Sequence, residues 1–150
     1  MKTLNFLLLC LILTTNASSI AKTPIGSAKK FCIATHWTVY IYNLMNEPFT
    51  IHIKSRNDDL GSHTLGVNEN ENWGFCENFW GTTLFWVDIF FNGTWKTSWH
   101  AWDHIVGLQY GSGHGDHRIL VWLVKEDGIY VGKSLPPFPV DGWTKLYNWP

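Results

Sequence analysis

The sequence predicts an all-β protein: a small antiparallel β-sandwich of seven or eight strands, with an N-terminal signal peptide and an extended C-terminal tail. Three observations favour this class. Apolar and polar residues alternate with a period of two, turn residues recur about every ten positions, and no window keeps helical spacing over three turns. β-Branched and aromatic side chains dominate the alternating runs, as expected for strands with one buried face.

The first 21 residues have the organisation of a secretory signal peptide. A positive start at Met1-Lys2 precedes an apolar run at 6–13, and small residues follow. The run is much shorter than the roughly 20 residues that span a bilayer. Cleavage after Ser19 or after Ala21 fits the small-residue rule, and Ala21 is favoured. We therefore expect a secreted product without membrane insertion, in which residues 1–21 are absent.

The rest of the chain, about 129 residues, has the common size of one domain. We expect a lead-in at 22–36, the sandwich domain at 37–131 and a tail containing proline and tryptophan at 132–150. The net charge of −1, without a basic patch, argues against a nucleic-acid partner.

The predicted strands follow one another at roughly ten-residue spacing and are separated by turns. Asn46-Glu47-Pro48 is one of these turn sequences, and 126–128 is another. The segment 107–117 contains four glycines and is expected to be a mobile loop, while the proline-containing tail is expected to be an extended arm outside the sheets. The predicted strands cover residues 37–42, 49–54, 63–65, 73–75, 82–91, 95–102, 119–124 and 129–131.

Two covalent features are expected in the exported chain. Cys10 leaves with the signal peptide, so Cys32 and Cys76 remain, and an oxidising compartment favours a disulfide between them over two free thiols. The sequence Asn92-Gly93-Thr94 is an acceptor for N-linked glycosylation. Asn-Gly is also a favoured two-residue hairpin turn, and turn tips are exposed, so the two interpretations agree.

Two clusters could bind a metal ion, and for both a loop is the favoured interpretation. Asn57, Asp58 and Asp59 are consecutive, whereas a calcium loop alternates its oxygen ligands, and asparagine, aspartate and glycine are what a connecting loop requires. The sequence from His114 to His117 offers three ligands closer together than known zinc sites do.

Catalysis has little support in the sequence. There is no Gly-x-Ser-x-Gly nucleophile motif. A glycoside hydrolase with two carboxylates would have to use Asp88, the one acid within an apolar strand, and alternation is expected to point that side chain outward. Of the ten tryptophans, most strand residues are expected in the core, whereas Trp102, Trp143 and Trp149 could be exposed for sugar stacking or a protein interface.

Three linked segments carry a resemblance to a known family. They read K-S-R-N-D-D-L-G-S-H-T-L at 54–65, N-F-W-G-T-T-L-F at 78–85 and V-W-L-V-K-E-D-G-I-Y at 121–130. In order and spacing the sequence resembles the plant self-incompatibility protein family, the S-protein homologues. This chain departs from the family pattern in lacking cysteines at Ile53, near Val87 and near 117–120.

The resemblance implies a secreted, plant-specific β-sandwich without catalytic activity or cofactor. Founding members of the family act as stigma ligands recognised by a pollen membrane receptor, so the expected function is that of an extracellular ligand for a cell-surface receptor protein. The alternative is a secreted carbohydrate-binding module that contacts cell-wall polysaccharide; the oligomeric state is left open. Contact loops are expected at 55–62, 66–72 and 107–117. Within them the candidate recognition residues are Asn57, Asp58, Asp59, Asn68, Asn70, His114, Asp116 and His117.

Overall fold

Two packed β-sheets form the fold in the computed structural model, which describes residues 32, 33 and 35–150. The predicted all-β sandwich is confirmed. The signal peptide predicted at 1–21 lies outside the described residues, and no helix within them is long and apolar enough to cross a membrane. The elements are β1 His36–Asn43, β2 Phe49–Ser55, β3 Asp59–Leu65, β4 Asn70–Cys76, β5 Phe85–Phe91, β6 Thr94–Trp102, α1 His104–Tyr110, β7 Ser112–His114, β8 His117–Lys125, β9 Gly128–Gly132 and β10 Thr144–Tyr147.

The strands are divided between a large and a small sheet. The large sheet has the order β10-β9-β8-β1-β4, with β7 paired to the first residues of β8, and the small sheet has the order β3-β2-β5-β6. All pairs are antiparallel except β1 and β8, which run parallel with His36 opposite His117. The described strands therefore number ten rather than seven or eight, and one pair departs from the antiparallel expectation.

Alternation along the strands builds the core between the sheets. In β5, Val87 and Ile89 are fully buried, while the residues between and after them are only partly covered. Trp122 of β8 is also fully buried, and its indole N–H donates to the backbone carbonyl of Ala101 in β6 at 2.8 Å. This bond joins the two sheets through the core. Trp102 is fully buried as well, so the expectation that it could be exposed is wrong.

The segment 107–117 is ordered, and the predicted mobile loop is wrong. It contains the end of α1, the short strand β7 and the first residue of β8. The helix begins because the Asp103 carboxylate accepts the N–H of Val106 at 2.8 Å, and it packs because Gly107 lies directly against the rings of Trp37 and Trp102. Only glycine allows such a close approach.

The tail also belongs to the sandwich, and the prediction of an arm outside the sheets is wrong. β10 pairs antiparallel with β9, although with an irregular register. Before it, Phe138 and Trp143 pack on Tyr42 and on the outward side chains of β8, and the rings of Tyr42 and Phe138 are 4.9 Å apart. The tail therefore covers the outer face of the large sheet, so β8 is buried on both faces.

The hairpin at Asn92-Gly93 has the expected two-residue turn. Asn92 has φ of 48° and Gly93 has φ of 76°, the pair of positive angles of a type I′ turn, which suits the twist of the flanking strands β5 and β6. At the other end of the sandwich, a disulfide joins Cys32 to Cys76, with the two Cα atoms 5.6 Å apart. This bridge fastens the segment before β1 to the last residue of β4.

Candidate functional site

The strand register assigns the short connections between strands to one of two ends of the sandwich, while 133–143 lies over the outer face of the large sheet. At the disulfide end, His36 is opposite Cys76 and Ser55 is opposite Phe85, so this end carries 56–58, 77–84, α1 and the turn at 115–116. At the hairpin end lie the connections 44–48, 66–69 and 126–127 and the turn at 92–93. The predicted contact loops are thus divided. The disulfide end has Asn57, Asp58, Asp59, His114, Asp116 and His117, and the hairpin end has Asn68 and Asn70.

The turn between β2 and β3 is held by its own side chains. The hydroxyl oxygen of Ser55 accepts the backbone N–H groups of Asn57 and Asp58, at 3.2 Å and 2.9 Å, and the hydroxyl donates to the Asp58 carboxylate at 3.2 Å. These contacts give the serine, asparagine and aspartate of this segment a structural role. Strand β3 begins at Asp59, so the expected loop over 55–62 is shorter than predicted.

Asp59 closes the same turn from the other side. Its Oδ1 accepts the backbone N–H of Gly61 at 2.9 Å and a ring N–H of His52 at 2.6 Å. Both donors favour the ionised carboxylate, so they hold the pKa of Asp59 below its usual value, with the histidine contact as the larger cause. A second histidine, His63 of β3, contacts the Glu71 side chain of β4 at 2.9 Å. The small sheet is thereby linked to the edge of the large one.

The histidine cluster that suggested a metal site is used in strand pairing. His114 is opposite His117 in the β7–β8 pair, and the backbone carbonyl of Asp116 accepts the N–H of His36 at 2.8 Å. The ring of His117 bonds to the hydroxyl of Thr38 at 3.1 Å and lies 4.8 Å from the ring of His36. Within the described part of the chain, no three histidine, cysteine, aspartate or glutamate side chains converge as a metal ion would require.

Asp88 lies where alternation puts it, on the face of β5 that points away from the core. Its carboxylate accepts a short hydrogen bond from the Ser98 hydroxyl, and Lys54 Nζ lies 3.9 Å away. These contacts make Asp88 part of a surface cluster with Ser98 and Lys54.

An exposed aromatic pair between β4 and β5 is the feature that sequence analysis missed. Phe79 is 82% exposed and Trp80 is 81% exposed, with their rings 5.5 Å apart at 87°. The loop around them is rigid: Asn78 accepts the N–H of Thr82 at 2.8 Å through its side chain and donates its own N–H to the Thr83 hydroxyl at 2.9 Å. The polar residues of this motif hold the backbone, and its aromatic residues face solvent.

Helix α1 adds apolar side chains beside this loop. Nδ1 of His104 lies 2.5 Å from Oε1 of Glu77, and a Cβ on Gly81 would lie 3.4 Å from the His104 ring. Ile105 follows His104 in α1 and Leu108 lies one turn after His104; their side chains are 71% and 57% exposed. We call Phe79, Trp80, Ile105 and Leu108 the apolar surface. All four side chains are exposed and lie at the disulfide end.

The signal for this surface was present in the sequence. Phe79 and Trp80 stand between Asn78 and Gly81, in a turn composition rather than in an alternating run. An aromatic pair in a rigid turn has no core face to occupy.

Comparison with known proteins decides the family. Residues 38–149 match the family described as "Plant self-incompatibility protein S1". This chain belongs to the plant self-incompatibility protein family. The match includes β10, in agreement with the place of the tail in the large sheet.

Individual members of the family are similar over most of the described chain. S-protein homolog 21 of Arabidopsis thaliana is 34% identical over 99 residues, which are 62% of this chain and 68% of the relative. S-protein homolog 5 of the same plant is 32% identical over 108 residues, which are 69% of this chain and 79% of the relative.

A solved structure of a Self-Incompatibility Protein Homologue, from a widespread family of small, highly stable, secreted plant proteins, has the same fold. It superposes with a TM-score of 0.54 at 14% identity, over 77% of this chain and 96% of that one.

Two residues at or near which the resemblance implies a cysteine, Ile53 and Val87, lie together in the structure. Ile53 of β2 and Val87 of β5 are directly opposite each other, and both are buried between the sheets. Apolar packing therefore occupies this place in the core. The disulfide from Cys32 to Cys76 is separate from this place and fastens the entry to β1 instead.

Proposed function

We propose that this member of the plant self-incompatibility protein family is a secreted, non-catalytic ligand of a protein at the cell surface, and that it binds through the apolar surface at the disulfide end. The observation that carries the proposal is the aromatic pair Phe79 and Trp80, rigidly held and more than four-fifths exposed. Aromatic side chains dominate the binding energy of protein interfaces, and a preorganised loop loses little entropy on binding.

Secretion is supported by the signal-peptide pattern in residues 1–21 and by the secreted homologue of known structure. The predicted contact residues at the same end, Asn57, Asp58 and the 114–117 segment, would form a polar rim around the apolar surface, as in other protein interfaces. Asn68 and Asn70, at the hairpin end, lie outside this rim.

A protein partner is favoured over polysaccharide by the ring geometry. A sugar-binding platform presents aromatic rings in a flat row, whereas Phe79 and Trp80 are nearly perpendicular at 87°. Trp95, which is 57% exposed, lies on β6 near the opposite end. Trp95 therefore does not extend a row of rings, and the two perpendicular rings of Phe79 and Trp80 suit pockets on a protein surface.

The test is saturable binding of labelled protein to plasma-membrane vesicles from plant tissue. Phe79→Ser with Trp80→Ser should weaken binding by about 30-fold or more, because two hot-spot side chains are lost. The matched control is Trp95→Ser, which removes an exposed tryptophan elsewhere and should leave affinity unchanged. Circular dichroism should show that both variants fold.

Protease treatment of the vesicles distinguishes the two classes of partner. Loss of binding after proteolysis supports a receptor protein. Binding that survives proteolysis and is competed by cell-wall polysaccharide would contradict the proposal, and so would equal affinity of the Phe79/Trp80 double variant and the Trp95 control.

A further inference from the structure

A cleft of about 490 Å³ opens between the two sheets at the hairpin end, away from the apolar surface. The β5–β6 hairpin forms one side, and the β8–β9 turn with the residues after β10 forms the other. Phe91 and Trp149 supply its aromatic part, with ring centroids 5.7 Å apart, and Glu47, Lys96 and Glu126 supply charged groups. Its volume is in the range of roughly 300–1,000 Å³ that small-molecule sites have.

Asn92, the acceptor of the glycosylation sequence, lines this cleft. Both Asn92 and Thr94 are exposed on the tight turn between β5 and β6. Within residues 35–150, neither the Asn92 amide nor the Thr94 hydroxyl takes part in a side-chain hydrogen bond. An acceptor site for N-linked glycosylation needs this combination: an accessible turn, an unengaged amide and a hydroxyl two residues later.

We propose that Asn92 carries an N-linked glycan and that the first sugar rings of this glycan occupy the cleft, packed against Trp149. The modification forms a bond between Asn92 Nδ2 and the anomeric carbon of an oligosaccharide. It breaks the bond of that carbon to a lipid diphosphate, the donor class of the secretory pathway, and releases one amide proton.

The cleft matches the chemistry of an amino sugar in three ways. The C–H face of a pyranose ring packs on an indole, and the Trp149 ring is held in place because its N–H donates to the carbonyl of Lys125 at 2.9 Å. Sugar hydroxyls need acceptors, which Glu47 and Glu126 provide, and the acetamide carbonyl needs a donor, which Lys96 provides.

The covalent link makes weak contacts sufficient. A tethered ligand is present at an effective concentration of about millimolar or above, so no high intrinsic affinity is required. Because Asn92 belongs to the small sheet and Trp149 follows the last strand of the large sheet, a glycan in the cleft would brace the two sheets at this end. The expected consequence is greater thermal stability of the glycosylated protein.

The experiment uses the full chain secreted from eukaryotic cells that make high-mannose glycans, with mass spectrometry of the Asn92 peptide. Thr94→Ala supplies the unglycosylated reference without altering the asparagine at the turn. The glycosylated protein should unfold about 3 °C or more above this reference. Trimming with endoglycosidase H, which leaves a single N-acetylglucosamine, should preserve most of the gain.

Two further variants test whether Trp149 is the contact. In a Trp149→Ala background the difference between glycosylated and Thr94→Ala protein should vanish, whereas a Trp95→Ala background should retain it. If Trp149→Ala does not fold, nuclear Overhauser contacts between the N-acetyl methyl group and the Trp149 ring in the otherwise unmodified glycoprotein give the answer. An unmodified Asn92 peptide, an equal gain in both tryptophan backgrounds, or the absence of those contacts would overturn the proposal.

Discussion

Glu77 joins the core to the apolar surface through its two carboxylate oxygens. Oε1 lies 2.5 Å from Nδ1 of His104, the first residue of α1, and Oε2 accepts the indole N–H of Trp37 at 3.2 Å. Trp37 is almost fully buried, so one carboxylate fixes the position of the helix relative to the core. The exposed side chains of α1 are therefore presented from a rigid base.

The first prediction concerns this carboxylate. Glu77→Ala should lower the free energy of unfolding by about 1–3 kcal/mol, because the indole N–H of Trp37 loses its acceptor in a partly buried place. The variant should also bind plasma-membrane vesicles more weakly, because α1 loses its link to the core, although the residues of the apolar surface are unchanged. Urea unfolding and vesicle binding measure the two effects. Glu77→Gln keeps an acceptor for Trp37 and should lower the free energy of unfolding distinctly less. Equal losses of stability in the two variants would argue against the hydrogen bond from Trp37 to Glu77 as the cause.

The second prediction concerns pH and Asp59. The pKa of this carboxyl group is lowered in the folded protein by the donors His52 and Gly61. Its contribution to stability is therefore present above the unfolded pKa, which is about 4, and is lost as the pH falls through the lower folded value. Asp59→Asn should flatten the dependence of stability on pH below about 4. Urea midpoints at pH 6, 4 and 3 test this, and Asp141→Asn, at an exposed position, should keep the original slope.

The third prediction concerns the glycine that ends α1. A Cβ at Gly111 would lie 2.5 Å from the carbonyl oxygen of Gly107 and 2.5 Å from the Trp37 ring. Gly111→Ala should therefore cost about 1–3 kcal/mol through overpacking. Gly115 is the matched control: its φ is +63°, nothing lies within 4 Å of an added Cβ, and alanine there should cost about 1 kcal/mol through backbone conformation alone. Chemical denaturation measures the stability of both variants. A larger loss for Gly115→Ala than for Gly111→Ala would refute the packing argument.

The fourth prediction concerns the disulfide. Cys32 and Cys76 are separated by 44 positions, and a bridge of this span restricts the unfolded chain by about 4 kcal/mol on the loop-entropy account. Replacing both by serine should lower the unfolding temperature and leave the strand content unchanged. The reduced unmodified protein should match the double variant. A double variant as stable as the oxidised protein would show that the bridge constrains little.

Sequence analysis located the strands that keep a clear apolar pattern, which is alternating in β2 and nearly continuous in β5 and β8. In β2 and β5 every second residue enters the core, and β-branched or aromatic residues fill those positions. The turn at Asn92-Gly93 could be predicted because its positive φ angles restrict the residue types that fit. In these places local chemistry and tertiary structure require the same residues.

Helix α1 and strand β10 escaped prediction for different physical reasons. The helix has only seven residues, and it meets the core through Gly107 with the partly buried Val106 and Tyr110, which is too short a run for helical spacing to be recognised over three turns. Strand β10 has four residues in a proline-containing tail, and pairing with β9 rather than its own alternation makes it a strand. The exposure of Phe79 and Trp80 was missed because a hydrophobic pattern assigns aromatic residues to the interior.

The parallel pairing of β1 with β8 has a consequence for how this protein forms. The two strands at the centre of the large sheet are about 80 positions apart in the chain, and β1 has no neighbour in that sheet closer along the chain than β4. A topology of such high contact order folds slowly, because distant segments must meet before the sheet gains stability. During synthesis, therefore, β1 emerges long before its partner exists. Assembly of the large sheet has to wait until most of the polypeptide has left the ribosome.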